Sequence, residues 1–486
     1  MTTSIKSIPR LVSWIILLPL LLTACQGVTV FPIPSPTVPS SPTASRTRQP
    51  RPTQTSVPDA IPTITRLPHL QIGPQELSGV KVQFWYMLSG LPGQEMARMV
   101  DEFNQSNEWG IQIVAQDLES RAALFQRMVD SFTVGGTPQV VLAPGEDILA
   151  WNERLGEVIN LEDYLQDGQW GMSESQAATF ARVFWEQGWL KDRRLSLPAL
   201  RTAGVLLYNQ SWAKELGFDQ PPMTPQEFQS QACAAGKSLL EDKDPYNNGL
   251  GGWITDHQAL EVLGWLAGFG MRDFVDSSGR FTFSTPAGQE AFTYLRTLFD
   301  QGCAWNSRDP QPYEYFAGRQ ALIYSGTLED LLIQQRTMER WKSPDQWLVL
   351  PYPSQNRQPI IFTSGQDYAL LAASPEQQLA GWLWIRWLVQ PEQLARLVRV
   401  TGSWPVSTTA ADLLVDYQAE HTQWAETLNW IPESIAVPKQ GSWGVVQNVL
   451  EDAAWQVFQA NIKVEQVPDI LHQLDATIPD VVKHAP

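Results

Sequence analysis

Aromatic and acidic side chains stand at the ends of two predicted strands. Trp85 and Tyr86 end the apolar stretch VKVQFWYM, and Glu146 and Asp147 follow an apolar stretch that ends at Ala143. In a parallel α/β sheet the carboxyl ends of the strands meet at one edge, where ligands bind. Aromatic rings pack against C–H faces, and carboxylates form strong hydrogen bonds with hydroxyl groups. These residues are therefore candidates for binding a polyol; the alternatives are a ring that points into the core and a solvated acidic loop.

The sequence lacks the common catalytic motifs. It has no G-x-S-x-G, H-E-x-x-H or G-x-x-x-x-G-K-[ST] pattern. The five histidines, at positions 69, 257, 421, 472 and 484, show no metal-ligand spacing, and the stretch EDKDPYNNG departs from the spacing of an EF-hand loop. We therefore predict no metal and no cofactor. A pair of catalytic carboxylates, as in a glycoside hydrolase, is compatible with the composition.

Composition limits the classes of partner. The formal net charge is −17, which disfavours nucleic acid and anionic lipid as partners. Tryptophan occurs 21 times, and although most of these rings must be structural, such an excess is typical of a carbohydrate-binding protein.

Strands and helices alternate in the part of the chain that would position these residues. Strands are predicted at 80–87, 110–114 and 139–143, and helices at 95–104 and 122–132. This order predicts a parallel α/β sheet. Further on, a strand pair interrupted by proline is predicted at 195–209, helices are predicted at 379–389 and 392–400, and Thr224 is predicted to cap a helix that begins at Pro225.

The N-terminal residues predict export. Lys6 and Arg10 precede an apolar run that is too short to span a membrane, and Leu22-Thr23-Ala24-Cys25 resembles the lipobox of bacterial lipoproteins. We predict a signal peptide at 1–24, a lipidated Cys25 and a tether over 25–78, because eleven prolines fall within 26–74. An ordinary secretory signal is the alternative.

Cys233 and Cys303 are the two remaining cysteines. An exported chain meets oxidising conditions, so the two can form a disulfide. Their separation in sequence does not decide between a bridge and two free thiols.

Five separate stretches carry a family resemblance. They are FWYMLSG with MARMVDEFNQSN, FTVGGTPQVVLAPGED with WNERLGEVINLEDYL, LPALRTAGVLLYNQSWAKELGFDQPPMTPQEF, YFAGRQALIYSG, and LARLVRVTGSWPVSTTA. In this order they resemble the family 1 extracellular solute-binding proteins, the maltose-binding-protein-like receptors of ABC importers. The likeness covers most of residues 80–460. Gln139 and Pro225 depart from the usual Asp and Trp of that family, so the sugar specificity of one member cannot be transferred.

The resemblance implies the fold and its domains. It implies an α/β, two-domain periplasmic-binding-protein-like fold (type II), connected by a hinge, with a ligand cleft between the domains. By the match, the N-terminal lobe would hold 79–200 and 366–415, and the C-terminal lobe would hold 201–362 and 416–486. Closure on the ligand would then present a changed surface to a membrane permease.

The resemblance also implies further cleft residues. Added to the four residues at the strand ends, the implied ligand-binding residues are Arg201, Trp253, Asp256, Asp367, Trp404 and Trp443. Arg201 and Asp367 would lie at the two crossings between the lobes, and the tryptophans would supply stacking rings. The alternatives are a hinge role alone for Arg201 and core packing for the tryptophans.

The sequence thus predicts a non-enzymatic substrate-binding lipoprotein of an ABC importer. It would capture a small solute, a mono- or oligosaccharide, as a monomer on the extracytoplasmic side of the membrane. Its partners would be the permease subunits and, through the N-terminal lipid, the membrane. A secreted glycoside hydrolase and a solute-sensing receptor without transport are the alternatives.

Overall fold

Two long strands cross the centre of a mixed sheet. The computed structural model describes residues 69–307 and 312–484; the predicted signal peptide, the lipidated Cys25 and the tether up to residue 68 lie outside them. The strands are β1 (Lys81–Tyr86), β2 (Gln112–Asp117), β3 (Val140–Pro144), β4 (Trp189–Leu190), β5 (Arg193–Arg194), β6 (Leu197–Asn209), β7 (Trp253–Thr255), β8 (Ala304–Asn306), β9 (Ile323–Thr327), β10 (Trp347–Leu350), β11 (Phe362–Leu370) and β12 (Ile435–Ala436).

Helices cover both faces of this sheet. They are α1 (Gly90–Ser106), α2 (Arg121–Val134), α3 (Gly145–Leu155), α4 (Glu162–Leu165), α5 (Glu174–Ala177), α6 (Arg182–Trp185), α7 (Gln210–Glu215), α8 (Pro225–Leu240), α9 (Ala259–Gly268), α10 (Pro286–Asp300), α11 (Tyr313–Ala317), α12 (Leu328–Trp341), α13 (Pro375–Leu388), α14 (Pro391–Thr401), α15 (Thr408–Asp412), α16 (Val415–Glu420), α17 (Thr422–Thr427), α18 (Trp443–Val457) and α19 (Val467–His484). None of these described helices is long and apolar enough to cross a membrane.

The sheet has two halves, which meet at β6 and β11. Its strand order is β2-β1-β3-β11-β6-β9-β7-β8, with β10 paired to β6 and β12 paired to β11. β1 runs parallel to β2 and β3, and β7 runs parallel to β8 and β9. The carboxyl ends of the strands in each half carry the loops and helix starts that face the middle of the molecule. This arrangement confirms the predicted parallel α/β pattern.

β6 is one continuous strand rather than the predicted strand pair. Its first half pairs with β11, and from Gly204 onward it pairs with β9. Pro198, its second residue, stands opposite a register shift in β11 between Gln366 and Asp367. A proline without an N–H group is tolerated at the start of a strand and at a bulge, so the strand is not interrupted.

The folded region begins earlier than the predicted boundary at residue 79. Pro74–Leu77 form a short 3₁₀ helix, and the side chain of Leu77 is fully buried. The backbone N–H groups of His69 and Leu70 donate to the carboxylate of Asp167, at 2.8 and 3.0 Å. Residues 69–78, which the sequence assigned to the tether, therefore pack on the globular part.

A disulfide joins Cys233 of α8 to Cys303, the residue before β8. The two Cα atoms are 4.3 Å apart. The bridge ties α8 to the start of β8, which stands last in the strand order of the sheet. Of the two alternatives that the sequence left open, the structure has the bridge.

Candidate functional site

A cavity of about 710 Å³ lies where the two halves of the sheet face each other. Its walls come from the carboxyl ends of β1, β2, β3, β7 and β9, from the middle of β6 and β11, and from α14 and α18. The polar side chains that line it are Ser89, Arg121, Glu146, Arg201, Thr202, Asp256, Gln258, Glu261, Thr327, Glu329, Arg336, Ser364, Gln366, Arg399, Thr401, Ser403, Gln447 and Glu451. A smaller pocket of about 300 Å³ adjoins it through Glu146, Arg201 and Ser364.

An ion-paired cluster forms the wall at the ends of β2 and β3. Arg121 contacts Glu146 at 3.0 Å and donates to Asp147 at 2.9 and 2.7 Å. Both carboxylates lie in the first turn of α3, where the helix dipole favours negative charge. Burial raises the pKa of Glu146 and of Asp147, and Arg121 opposes that increase. The alternative of a solvated acidic loop is therefore wrong: the two carboxylates belong to a buried helix start, with Glu146 in the main cavity and Asp147 behind it.

A second ion pair lies in the floor of the cavity, where β6 and β11 pair as antiparallel neighbours. Arg201 donates to Asp367 at 2.5 Å, and the Ser196 hydroxyl donates to the other oxygen of Asp367 at 2.7 Å. Arg201 is 1% exposed and also donates to the carbonyls of Leu200 and Gln366. It lines both the main cavity and the smaller pocket, whereas Asp367 lines only the smaller one.

The wall at the ends of β7 and β9 is acidic. The Thr255 hydroxyl donates to Glu261, and the backbone N–H of Asp256 donates to Glu261 at 2.9 Å. Burial raises the pKa of Asp256 well above its ordinary value, and the negative charge of Glu261 raises it further. Burial also raises the pKa of Glu261.

Two further carboxyls complete this wall. Glu451 of α18 accepts the Ala259 N–H at 2.9 Å, and Glu329, in the first turn of α12, accepts from the Thr202 hydroxyl. Burial raises the pKa of both carboxyls. Within residues 69–307 and 312–484, neither of them, nor Asp256 or Glu261, forms an ion pair.

A glycine in β6 brings α9 close to this acidic wall. A Cβ atom on Gly204 would lie 2.8 Å from the Cβ atom of Leu260. Only hydrogen at this position lets the first turn of α9, which carries Glu261, approach the sheet so closely.

The predicted stacking rings lie in the core. Trp85, Tyr86, Trp253, Trp404 and Trp443 are all buried. Because helices cover both faces of the sheet, both side-chain directions of a strand such as β1 end in packed core. Trp253 packs edge to face with Trp265, and Trp443 stacks with Phe281. Among the described lining residues of the main cavity there is no Trp, Tyr or Phe.

The structure therefore brings together the predicted polar residues and not the rings. Glu146, Arg201 and Asp256 line the main cavity, and Asp147 and Asp367 are the ion-pair partners directly behind it. Sequence reasoning missed Arg121, Glu261, Glu329 and Glu451. Arg121 and Glu329 closely follow strand ends, which is a signal that could have been used, whereas Glu451 lies within a helix and has no local signal.

Comparisons with known proteins agree with this architecture. Residues 98–426 match the family model described as "Bacterial extracellular solute-binding protein". A "Probable ABC transporter-binding protein" of Deinococcus radiodurans is 22% identical over 186 residues, which are 34% of this chain and 43% of that protein. The match thus spans less than half the length of that relative.

Solved structures of bacterial binding proteins have the same fold. The cyclic alpha-maltosyl-1,6-maltose binding protein from Arthrobacter globiformis is similar with a TM-score of 0.67 at 17% identity, over 84% of this chain and 100% of that chain. The sugar-binding protein MalE from Xanthomonas citri gives a TM-score of 0.68 at 16% identity, over 83% and 98%. UgpB from Mycobacterium tuberculosis, solved in complex with glycerophosphocholine, gives 0.66 at 17% identity, over 83% and 99%. The fold is thus the two-domain, hinge-connected α/β fold of these binding proteins, and the chain belongs to the family of bacterial extracellular solute-binding proteins.

Proposed function

We propose that this protein is the substrate-binding component of an ABC importer and that it captures a mono- or oligosaccharide. The observation that carries the proposal is the cavity of about 710 Å³ at which the strand ends of both sheet halves meet. Its carboxyl groups are the acceptors that hydroxyl groups of a saccharide require. The name of the Deinococcus relative and the sugar-binding proteins among the similar structures support the same function.

Binding works by closure of two lobes about the crossing strands. The N-terminal lobe consists of 79–200 and 366–415 together with the packed residues 69–78, and the C-terminal lobe of 201–362 and 416–486. Glu146 lies on one lobe, Asp256 and Glu329 lie on the other, and Arg201 lies at the crossing. A saccharide that contacts all of them binds the closed form more tightly than the open form, so the population shifts toward closure and a permease can distinguish the loaded receptor.

The receptor is anchored outside the cytoplasmic membrane as a monomeric lipoprotein. Cleavage before Cys25 and lipidation of that cysteine would attach it to the membrane. The proline-rich tether that follows would link the lipid to the binding lobes.

A thermal-shift screen of the purified protein tests this function. A ligand that binds only the folded state raises the unfolding midpoint, since it stabilises by RT ln(1 + [L]/Kd). We expect a saccharide within a panel of sugars, polyols, amino acids and polyamines to raise the midpoint and to be recovered unchanged. A shift with amino acids alone would contradict the saccharide, and turnover of the added compound would contradict a binding protein.

A further inference from the structure

We propose that the saccharide carries a basic amino group, and that its ammonium group binds at the wall formed by Asp256, Glu261, Glu329 and Glu451. This inference rests on the proposed function and specifies its substrate class. The same ammonium chemistry occurs in linear polyamines, so the experiment must separate the two sources.

The four carboxyls face one part of the cavity. Asp256 directly follows β7, and Glu329 follows β9, the strand that pairs with β7. Paired strands lie about 4.8 Å apart, so their carboxyl ends contribute to adjacent parts of one wall. Glu261 accepts the Asp256 N–H, and Glu451 accepts the Ala259 N–H, so both lie around the start of α9.

The guanidinium groups of the cavity balance this wall only in part, because Arg121 offsets some of the effect of burial on the pKa of Glu451. Arg121 pairs with Glu146 and Asp147, Arg201 pairs with Asp367, and Arg399 pairs with Asp416. Arg336, the other cation in the lining, is exposed. Glu261 is buried, and the other three carboxyl residues are half-buried. A carboxylate removed from water without a paired cation is costly, and a cationic ligand would relieve that cost.

Independent observations at the floor point to a hydroxylated ligand in the same cavity. The Nε atom of Arg201, a side chain that is 1% exposed, has no hydrogen-bond partner within the described residues. The buried Oε1 atom of Gln366, also in the lining, has no partner there either. Buried polar atoms are normally paired, so a donor and an acceptor left open beside a cavity are suited to the hydroxyl groups of a ligand.

The lining also limits the sources of affinity for a neutral sugar. Aromatic rings are missing from the described lining residues, so stacking on C–H faces does not contribute there. Hydrogen bonds between an ammonium and carboxylates are about twice as strong as neutral ones. The ligand that best uses all parts of this cavity therefore combines hydroxyl groups at the floor with an ammonium group at the acidic wall.

Calorimetric titration of the full-length protein with matched compounds tests the proposal. The compounds are a β-1,4-linked glucosamine disaccharide, its N-acetylated counterpart, cellobiose and spermidine. We expect the aminated disaccharide to bind at least about tenfold more tightly than either neutral disaccharide, because hydrogen bonds to charged groups are the stronger ones. Glu329→Gln and Glu451→Gln should each reduce this preference, whereas Glu392→Gln, an exposed site outside the cavity, should keep it.

The outcomes separate this inference from the function on which it rests. Neutral disaccharides that bind as tightly as the aminated one would overturn the ammonium site and leave the saccharide receptor standing. If Glu329→Gln and Glu451→Gln both keep the preference for the aminated disaccharide, the ammonium site is also overturned. Binding of spermidine without any saccharide would support the ammonium site and overturn the saccharide, and binding of none of the four compounds would overturn the inference.

Discussion

At the scale of single residues, the buried ion pair between Arg201 and Asp367 joins the two strands that cross the sheet. The pair is 2.5 Å long, and both side chains are almost inaccessible to solvent. Ser196 completes the hydrogen bonding of Asp367. Removal of one partner would leave a buried charge that nothing compensates.

We predict that Arg201→Met and Asp367→Asn each lower the free energy of unfolding by about 3–5 kcal/mol. The double variant should lose much less than the sum, because it leaves no unpaired charge. Denaturant unfolding of the wild type, both single variants and the double variant measures the coupling. Additive losses would show that the pair does not act as a unit.

The buried acids of the cavity predict a pH dependence. Burial raises the pKa of Glu329 above its ordinary value of 4.5, so ionisation of this group destabilises the folded state. This penalty is absent below pH 4.5, grows as the pH rises from 4.5 to the raised folded-state pKa, and is constant above it. Relative to Glu329→Gln, the wild type should therefore lose stability between pH 4.5 and neutral pH.

A glutamate in the first turn of α13 provides the control of opposite sign. Hydrogen bonding at the start of α13 lowers the pKa of Glu376, so its ionised form stabilises the folded state above pH 4.5. Relative to Glu376→Gln, the wild type should gain stability as the pH rises from the lowered folded-state pKa to 4.5, and it should keep that gain above 4.5. Unfolding midpoints of the three proteins from about pH 2.5 to pH 8 give both slopes, and slopes of the same sign would contradict the assignment.

The structure places predicted acidic residues at the cavity and the predicted rings in the core. Glu146 and Asp256 follow strand ends, and strand ends meet wherever the sheet is parallel, so their placement needs only local information. Whether a ring such as Trp253 faces the ligand or the core depends on which helices cover the sheet. Sequence periodicity around a strand that is buried on both faces does not carry that information.

At the scale of elements, a local sequence signal was sufficient to predict where α8 begins. Thr224 was predicted as N-cap, and its hydroxyl accepts the Glu227 N–H at 3.2 Å, while Glu227 accepts the Thr224 N–H at 3.2 Å. This reciprocal capping box satisfies two N–H groups that the helix leaves open. The prediction is confirmed.

Thr224→Ala should therefore lower the free energy of unfolding by about 1 kcal/mol. The matched control is Ser106→Ala, since that exposed hydroxyl donates to the Glu102 carbonyl in the last turn of α1 and caps nothing; it should change stability by less than about 0.5 kcal/mol. Urea unfolding compares the two. Equal losses would contradict the capping role.

Other elements could not be predicted from local signals. Pro198 indicated an interrupted strand, but its partner strand β11 shifts register opposite it, and β6 continues. The register shift that accommodates Pro198 lies in a segment more than 160 residues away in sequence. Element boundaries that depend on such pairings are decided by tertiary structure.

At the scale of the whole molecule, β6 and β11 connect two half-sheets whose strand ends point into one cavity. The family resemblance predicted the two-domain fold, which the structural comparisons confirm. The composition of the cavity could not be predicted in the same way, because Arg121, Glu329 and Glu451 come from three distant elements. These charged side chains come to line one cavity only when the chain folds.

Calorimetric titration of a cavity-blocking variant tests the central claim, that this cavity holds the solute. Ser89 lines the cavity, is exposed and makes no capping hydrogen bond, so Ser89→Trp should block the cavity without unfolding the protein. Ser277→Trp, at an exposed turn outside the cavity, is the control. With the saccharide that gives the largest thermal shift, we predict at least about a tenfold loss of affinity for Ser89→Trp and none for Ser277→Trp. Wild-type affinity in Ser89→Trp would contradict the account.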